Sequence, residues 1–258
     1  MVMSNSAYAL FEKWNAGKPG INIFLRIPNA WTAEMLSHTD VDAITLDLQH
    51  GLISFDTMVS MLQAIRKDKY PLARLKWNDP AHIMQVLDAG AKGIICPMIN
   101  SRKEAETFIA ACFYPPEGMR SYGPTRSNLP PMANYISDYH HDLRTFAQIE
   151  TREGLGNVEE IASAKRLSGL YLGPYDLSLD LGFKRLADFS DPAFMVHVRK
   201  VLEAAKRHNL IAAVHALKED DAVLLARLGF NLVTPLDDSA VLVQAVKDKL
   251  GNVTSKIN

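Results

Sequence analysis

Short apolar runs rich in β-branched residues alternate with segments of helical periodicity, and this alternation is what most restricts the fold. Met58, Met61 and Leu62, for example, fall on one face of a helix between two such runs. The predicted strands are Ile21–Ile27, Ala43–Asp47, Leu72–Leu75, Gly93–Cys96, Thr145–Ile149, Leu170–Leu172, Ile211–Val214 and Asn231–Thr234. Eight βα units in 258 residues, with no composition shift that marks a domain boundary, predict an α/β fold: a single (β/α)₈ barrel of the TIM type, residues 1–258.

The longest loop-like segment runs from Pro115 to about His140 and is rich in Pro, Gly, Asn and Ser. In a barrel this insertion would follow strand four or its helix. Because long loops that are kept in a compact domain often serve function, we expect this one to help cover the active-site mouth.

Composition limits the partners and the compartment. The net charge is −1 with both signs interspersed, which argues against nucleic acid or a membrane surface as a partner. Residues Met1 to Lys18 lack a basic region followed by a long apolar run, and no window approaches the length of a membrane span. We therefore predict a soluble, cytoplasmic protein.

Polar side chains stand where the predicted strands end, and in a barrel those ends meet on one face. An imidazole there can shuttle protons near neutral pH, and an arginine can hold a carboxylate with two parallel hydrogen bonds. A lone histidine is more often structural and a lone arginine solvated, but their shared location favours a catalytic interpretation. The residues concerned are Asp47, Gln49, His50, Arg74, Gln148, Glu150 and Asp176.

Two carboxylates, Glu150 and Asp176, follow adjacent predicted strands. A sparse all-oxygen site of this kind suits Mg²⁺ or Mn²⁺, which keep positions open for water and substrate oxygens. The alternative is that Glu150 begins a helix and Asp176 forms a turn. Spacing alone leaves both interpretations open.

Several motifs, in this order, resemble the HpcH/HpaI aldolase family over roughly residues 40 to 240. They are Leu46-Asp47-Leu48-Gln49-His50-Gly51, Trp77-Asn78-Asp79-Pro80, Leu87-Asp88-Ala89-Gly90-Ala91, Pro97-Met98, Tyr114-Pro115-Pro116-Glu117-Gly118-Met119-Arg120, Gln148-Ile149-Glu150-Thr151-Arg152 and Gly173-Pro174-Tyr175-Asp176-Leu177-Ser178. The family comprises metal-dependent (class II) pyruvate aldolases, such as 4-hydroxy-2-oxoheptanedioate and 2-dehydro-3-deoxyglucarate aldolases.

The resemblance implies a (β/α)₈ barrel that reversibly cleaves a 4-hydroxy-2-oxo acid to pyruvate and an aldehyde, through a metal-stabilised pyruvate enolate. It implies Mg²⁺, Mn²⁺ or Co²⁺ as cofactor. It also implies a homohexamer, built from dimers that exchange their C-terminal helices.

The resemblance also implies roles for single residues. Glu150 and Asp176 match the metal ligands, Arg74 matches the arginine beside the 2-oxo group, and Gln148 lines the same pocket. His50 matches the residue assigned to proton transfer.

The turn formed by Gly173, Pro174, Tyr175 and Asp176 would bind the pyruvate carboxylate through its backbone N–H groups. Asp47 and Asp88 match acidic positions associated with the histidine. Asp88 comes late in its predicted helix, at the far end of its own barrel, and would act only across a subunit contact.

The chain departs from the family pattern at two places. Gln49 stands where the family usually has Glu directly before the catalytic histidine, which removes a negative charge near the metal site. Arg26 stands at the end of strand one, where small or apolar residues are expected, so it either binds a distal substrate carboxylate or faces solvent. Both departures concern the aldehyde half of the substrate or the preferred metal.

Two other functions are compatible with this architecture. A citrate lyase β-subunit or malyl-CoA lyase-like enzyme would need a longer chain and extra basic residues for the CoA phosphates. A non-catalytic, metal-dependent keto-acid-binding protein would bind pyruvate without turnover, because fold does not determine function.

Overall fold

Eight parallel strands close into one barrel in the computed structural model, which describes residues 8–257. The strands pair in chain order, and β8 closes the barrel against β1. The strands are β1 (Gly20–Leu25), β2 (Ala43–Asp47), β3 (Tyr70–Arg74), β4 (Gly93–Cys96), β5 (Arg144–Ile149), β6 (Gly169–Leu172), β7 (Ile211–His215) and β8 (Leu232–Asp237). The predicted TIM-type barrel is confirmed, and every predicted strand is present.

At least one helix follows each strand, and α1 precedes the first. The helices are α1 (Ala9–Asn15), α2 (Ala30–Ser37), α3 (Phe55–Ala64), α4 (Pro80–Asp88), α5 (Arg102–Cys112), α6 (Tyr135–Asp142), α7 (Arg152–Gly156), α8 (Val158–Ala162), α9 (Pro174–Asp180), α10 (Pro192–Arg207), α11 (Glu219–Leu228) and α12 (Asp238–Ile257). Local signals set several starts: Ser54 caps α3 through its side chain, and Asp79 caps α4 with Pro80 in its first turn.

Strand residues alternate between the barrel interior and the helix layer. Inside the barrel, Thr45 donates a hydrogen bond to Asn22 at 3.0 Å, and the side chain of Asn22 donates to Thr234 at 3.0 Å. At the amino ends of the strands, α1 closes the floor with Leu10 and Phe11, both buried against the aromatic and aliphatic interior. The opposite end, where the strands finish, stays open as a mouth.

The insertion from Pro115 to His140 lies at the floor of its own barrel, so the prediction that it covers the active-site mouth is wrong. Helix α5 runs back from the mouth, and the chain that follows it starts at the floor. There the backbone N–H groups of Arg126 and Ser127 both donate to the carbonyl of Asp88, at the end of α4. Part of the insertion is helical, as α6.

Helix α12 leaves its own barrel after the first turn. Asp238 is its buried residue, whereas Val243, Val246, Leu250, Val253 and Ile257 are all exposed. These five apolar residues recur at intervals of three and four, which places them on one face. We call this face the α12 stripe. It makes no contact that buries it within residues 8–257.

No helix in the described part of the chain is long and apolar enough to cross a membrane. Residues 1–7 belong to the segment in which no signal peptide is predicted, and they lie outside the described residues.

Candidate active site

The mouth of the barrel contains a cavity of about 310 Å³. Side chains two positions apart on a strand point to the same side. Four lining residues therefore point into the cavity, because each comes two positions after a residue that fills the barrel interior: Arg26, Arg74, Gln148 and His215. The lining is formed by Arg26, His50, Arg74, Gln148, Tyr171, Gly173, Pro174, Tyr175, Asp176, His215 and Leu217. The structure therefore brings together the site residues predicted from strands two, three, five and six.

Asp47, the last residue of β2, is fully buried and holds two arginines. Arg74 donates Nε to Oδ1 at 2.9 Å and Nη2 to Oδ2 at 2.7 Å, and Arg26 donates Nε to Oδ2 at 3.1 Å. Burial by itself raises the pKa of Asp47, but the hydrogen bonds and charge of Arg74 outweigh it and hold the pKa below its usual value. Asp47 is therefore an ionised anchor at neutral pH.

The association predicted between Asp47 and His50 runs through the backbone. The N–H groups of Gln49 and His50 both donate to Oδ1 of Asp47, each at 3.2 Å. The His50 side chain is exposed and lines the mouth cavity. Asp47 thus fixes the turn that presents the imidazole, and leaves the imidazole itself open to a substrate.

Arg26 does not simply face solvent. Besides Asp47, its Nη1 lies 3.3 Å from Oδ2 of Asp237, at the end of β8, and its side chain remains one-third exposed to the cavity. Its backbone N–H donates to Oδ1 of Asp238 at 2.8 Å. Strand β8 reaches these aspartates because it continues past Pro235, beyond the predicted end at Thr234. Pairing with β7 has stopped at Thr234, so the missing N–H of proline removes no bond from that ladder.

Glu150 is 2% exposed, and among residues 8–257 no cationic side chain lies within ion-pair distance of it. Its Oε1 accepts the backbone N–H of Met98 at 2.7 Å, and its Oε2 accepts Nε2 of Gln148 at 2.5 Å. Burial, followed by the charge of Asp176, raises the pKa of Glu150 to about 7. A bound cation would reverse this rise, because it favours the charged carboxylate.

The space around Glu150 is also prepared for a ligand. The Oε1 atom of Gln148 is buried without a hydrogen-bond partner among residues 8–257. A Cβ added at Gly173 would lie 2.8 Å from Oε2 of Glu150. Any residue other than glycine would therefore displace that carboxylate. Asp176 is exposed and lines both the mouth cavity and a second one of about 780 Å³, which Glu150 also lines. The residues present fit a divalent ion.

The turn after β6 offers fewer backbone donors than predicted. The N–H of Gly173 already donates to the carbonyl of Ile149 at 3.0 Å, and Pro174 has no N–H. Tyr175 and Asp176 follow in the first turn of α9, where N–H groups have no partner within the helix. Gly173 and Pro174 still line the cavity, but Tyr175 and Asp176 are the backbone donors that a carboxylate would find.

Comparison with known proteins identifies the family. A family model described as HpcH/HpaI aldolase/citrate lyase matches residues 21–234. The chain belongs to this family. The resemblance inferred from the motifs is confirmed.

Two relatives and one solved structure are similar to this chain over much of its length. The hydroxypyruvate/pyruvate aldolase of Rhizorhabdus wittichii is 38% identical over 93% of this chain and 96% of its own. The 4-hydroxy-2-oxo-heptane-1,7-dioate aldolase of Salmonella heidelberg is 36% identical over 68% of each chain. An HpcH/HpaI aldolase from Desulfitobacterium hafniense has a TM-score of 0.86 at 22% identity, covering 95% of this chain and 96% of the other, which shows the shared fold.

Within this HpcH/HpaI chain, Asp88 lies apart from the mouth. It ends α4 at the floor, where its Oδ1 accepts Nη2 of the buried Arg120 at 2.5 Å. That guanidinium is also stacked 4.6 Å from the ring centre of Tyr114. Within one subunit, Asp88 serves this ion pair.

Gln49 is half-buried, and its side-chain oxygen has no hydrogen-bond partner among the described residues. It does not line the mouth cavity. Its influence on the metal site stays a prediction.

Sequence reasoning missed His215, Tyr171 and Asp237. The Tyr171 hydroxyl lies 2.8 Å from Oγ1 of Thr234 and 3.5 Å from Nδ1 of His215. The signal was present: His215 directly follows the predicted strand Ile211–Val214, and the same strand-end argument that selected Arg74 selects it too.

Proposed function

We propose that this protein is a class II pyruvate aldolase, which reversibly cleaves a 4-hydroxy-2-oxo acid to pyruvate and an aldehyde. One observation carries the proposal: two carboxylates, Glu150 and Asp176, lie close together with no ion-pair partner among residues 8–257, and Asp176 lines the cavity that Arg74 and His50 also line. Two relatives named as aldolases of oxo acids support it.

Glu150 and Asp176 are the groups that would hold the ion, which we propose to be Mg²⁺, Mn²⁺ or Co²⁺. When bound, the ion would polarise the 2-oxo group of the substrate. Among residues 8–257, no three His, Cys, Asp or Glu side chains are grouped to hold a metal. Two protein ligands leave room for substrate oxygens, as a Lewis-acid site requires.

Arg74 is oriented before the substrate arrives. Its Nε and Nη2 are fixed on Asp47, whereas no described residue accepts a hydrogen bond from Nη1. We assign Nη1 to the 2-oxo oxygen of the substrate, where negative charge develops. Gln148 holds Glu150 through Nε2, and its Oε1 has no hydrogen-bond partner among the described residues. The N–H groups of Tyr175 and Asp176 would receive the carboxylate of pyruvate.

His50 provides the proton transfers. In the cleavage direction it takes the proton of the C4 hydroxyl, the C3–C4 bond breaks, the aldehyde leaves, and C3 of pyruvate then takes a proton. In the condensation direction each transfer is reversed. Asp47 contributes by holding the turn, and any catalytic part for Asp88 requires that a neighbouring subunit bring it to this mouth.

We propose a homo-oligomer, with a hexamer as the form that the resemblance implies. The α12 stripe is the feature that supports association, because an exposed face of five apolar residues on one helix is unfavourable in water. The exchange of α12 between subunits would cover it.

The test is carbon–carbon bond formation. The protein is incubated with Mn²⁺, pyruvate and glycolaldehyde, and the condensation product is detected by mass spectrometry. A Glu150→Gln, Asp176→Asn double variant is the control and should form no product. Pyruvate binding without product from any aldehyde would identify the protein as a keto-acid binder. Borohydride added with pyruvate should leave no covalent adduct, because no lysine forms a Schiff base.

A further inference from the structure

One wall of the mouth cavity is polar in a way that binding of the pyruvate half of the substrate does not require. Arg26, Tyr175 and His215 form this wall, and the ring of Tyr175 packs against that of His215. None of the three holds Glu150 or Asp176 through a hydrogen bond. We call Arg26 and His215 the outer pair.

Arg26 is held in place by ion pairs, but not all of its hydrogen-bond donors are used. Its Nε is bound to Asp47 and its Nη1 lies beside Asp237, which orients the guanidinium from two sides. Its Nη2 has no partner among the described residues, and one-third of the side chain is exposed. A side chain that buried partners orient, and that keeps one donor open to a cavity, is the usual arrangement for binding a polar group of a ligand.

His215 faces the same space from β7. Its ring packs 4.9 Å from Phe24 and 6.2 Å from Tyr175, and Nδ1 lies 3.5 Å from the Tyr171 hydroxyl. Burial, assisted by the charges of Arg74 and Arg26, lowers its pKa to about 3. The ring is therefore neutral at neutral pH, and Nε2 has no partner among the described residues, so it can exchange one hydrogen bond with a ligand.

We propose that the outer pair binds the substituent of the aldehyde, and that this substituent is a neutral hydroxyl group. The inference rests on the proposed aldolase function and specifies its second substrate as a hydroxylated aldehyde. Arg26 Nη2 donates to the hydroxyl oxygen, and the His215 ring provides the second hydrogen bond.

The charges around the cavity favour a hydroxyl over a carboxylate. Arg26 and Arg74 carry two positive charges, and four nearby carboxylates carry four negative charges. A bound divalent ion would balance the two negative charges in excess. Pyruvate then adds one negative charge. A carboxylate on the aldehyde would add a second negative charge. Neither arginine of the described lining is an unpaired cation, because Asp47 binds both and Asp237 also pairs with Arg26. The carboxylates in question are those of Asp47, Asp237, Glu150 and Asp176.

The experiment compares two aldehydes of nearly equal size, glycolaldehyde and propanal, which differ by a hydroxyl in place of a methyl group. The kcat/KM of each is measured in condensation with pyruvate and Mn²⁺. Their ratio cancels any general loss of activity in a variant. We expect the native protein to prefer glycolaldehyde by about tenfold or more, since a site that hydrogen-bonds a hydroxyl rejects the analogue without it.

Three variants locate the preference. Arg26→Met should reduce the ratio to within about threefold of unity, because its open donor supplies most of the discrimination. His215→Leu should lower the ratio in the same direction, and it remains informative if Arg26→Met does not fold, since Leu suits the apolar contacts of His215. Arg66→Met, far from the mouth and paired with Asp68, is the matched control and should keep the native ratio.

The outcomes separate the two proposals. Absence of product with every aldehyde contradicts the aldolase function. Turnover of both aldehydes at equal kcat/KM in the native protein, or an unchanged ratio in both mouth variants, overturns the role of the outer pair. A native preference for glyoxylate over glycolaldehyde that is lost in Arg26→Met would show that the substituent is a carboxylate, and would likewise overturn the proposal.

Discussion

His50 stands at the mouth with its backbone bound to Asp47, and its imidazole has no hydrogen-bond partner among residues 8–257. We predict that His50→Ala lowers the rate of aldol cleavage and of proton exchange at the pyruvate methyl group by roughly 10²–10⁴-fold, the usual contribution of a positioned acid–base group. Exchange is followed by NMR in D₂O. His141→Ala, at an exposed position of α6 near the floor, is the control. A His50→Ala protein with near-native kcat would show that another group moves the proton.

His215 should make stability depend on pH. The unfolded state takes up a proton near the ordinary pKa of 6.5, whereas the folded state does so only near about 3. Stability is therefore lost as pH falls through 6.5, and it is regained above that value.

We expect native protein to lose about 2 kcal/mol more than His215→Leu between about pH 7 and pH 5, from the linkage of one proton. Urea unfolding of both proteins at the two pH values measures this difference. Parallel losses would mean that His215 is protonated in the folded state.

At the scale of an element, the junction of β6 and α9 sets the geometry of the metal site. We predict that Gly173→Ala weakens Mn²⁺ binding by roughly 10–100-fold, the effect of disturbing a group that supports a metal ligand. The new Cβ would lie 2.8 Å from Oε2 of Glu150 and must displace it. Calorimetric titration with Mn²⁺ measures the loss. Gly156→Ala, whose Cβ meets no heavy atom within 4 Å, should bind as native protein does, and equal affinities in both variants would contradict this account.

For the whole molecule, α12 should control assembly. Changing Val246 and Leu250 to Lys places two charges in the α12 stripe, and we expect the oligomer to dissociate, because an apolar contact cannot accept unpaired charges. Multi-angle light scattering measures the mass. Asp248→Lys, on the opposite face of the helix, should leave the mass unchanged. A native protein that is a stable, fully active monomer would exclude the exchange of helices.

Metal removal should separate activity from fold. Exhaustive treatment with EDTA should abolish turnover, because two protein carboxylates hold an ion weakly. The melting temperature should change little, since the barrel core of apolar residues rather than the ion stabilises the structure. Activity returns on addition of Mn²⁺ or Mg²⁺. Full activity after chelation and dialysis would rule out the class II assignment.

The sequence by itself determined the architecture and most of the inner site. Apolar runs such as Ala43–Asp47 and Gly93–Cys96 have the bounds that the structure shows, because a strand covered on both faces is encoded locally. Asp47, Arg74, Gln148 and Glu150 could be placed at one mouth because parallel strands end on one face.

Only the tertiary structure decided which of these groups touch. The pairing of Arg26 with Asp237 and the cap of Asp238 on Arg26 join residues more than two hundred positions apart, so no local pattern records them. The insertion after α5 lies at the floor because a returning helix, and not loop composition, sets where it starts. Likewise, the exposure of the α12 stripe depends on where the last strand releases the chain, which is a property of the closed barrel.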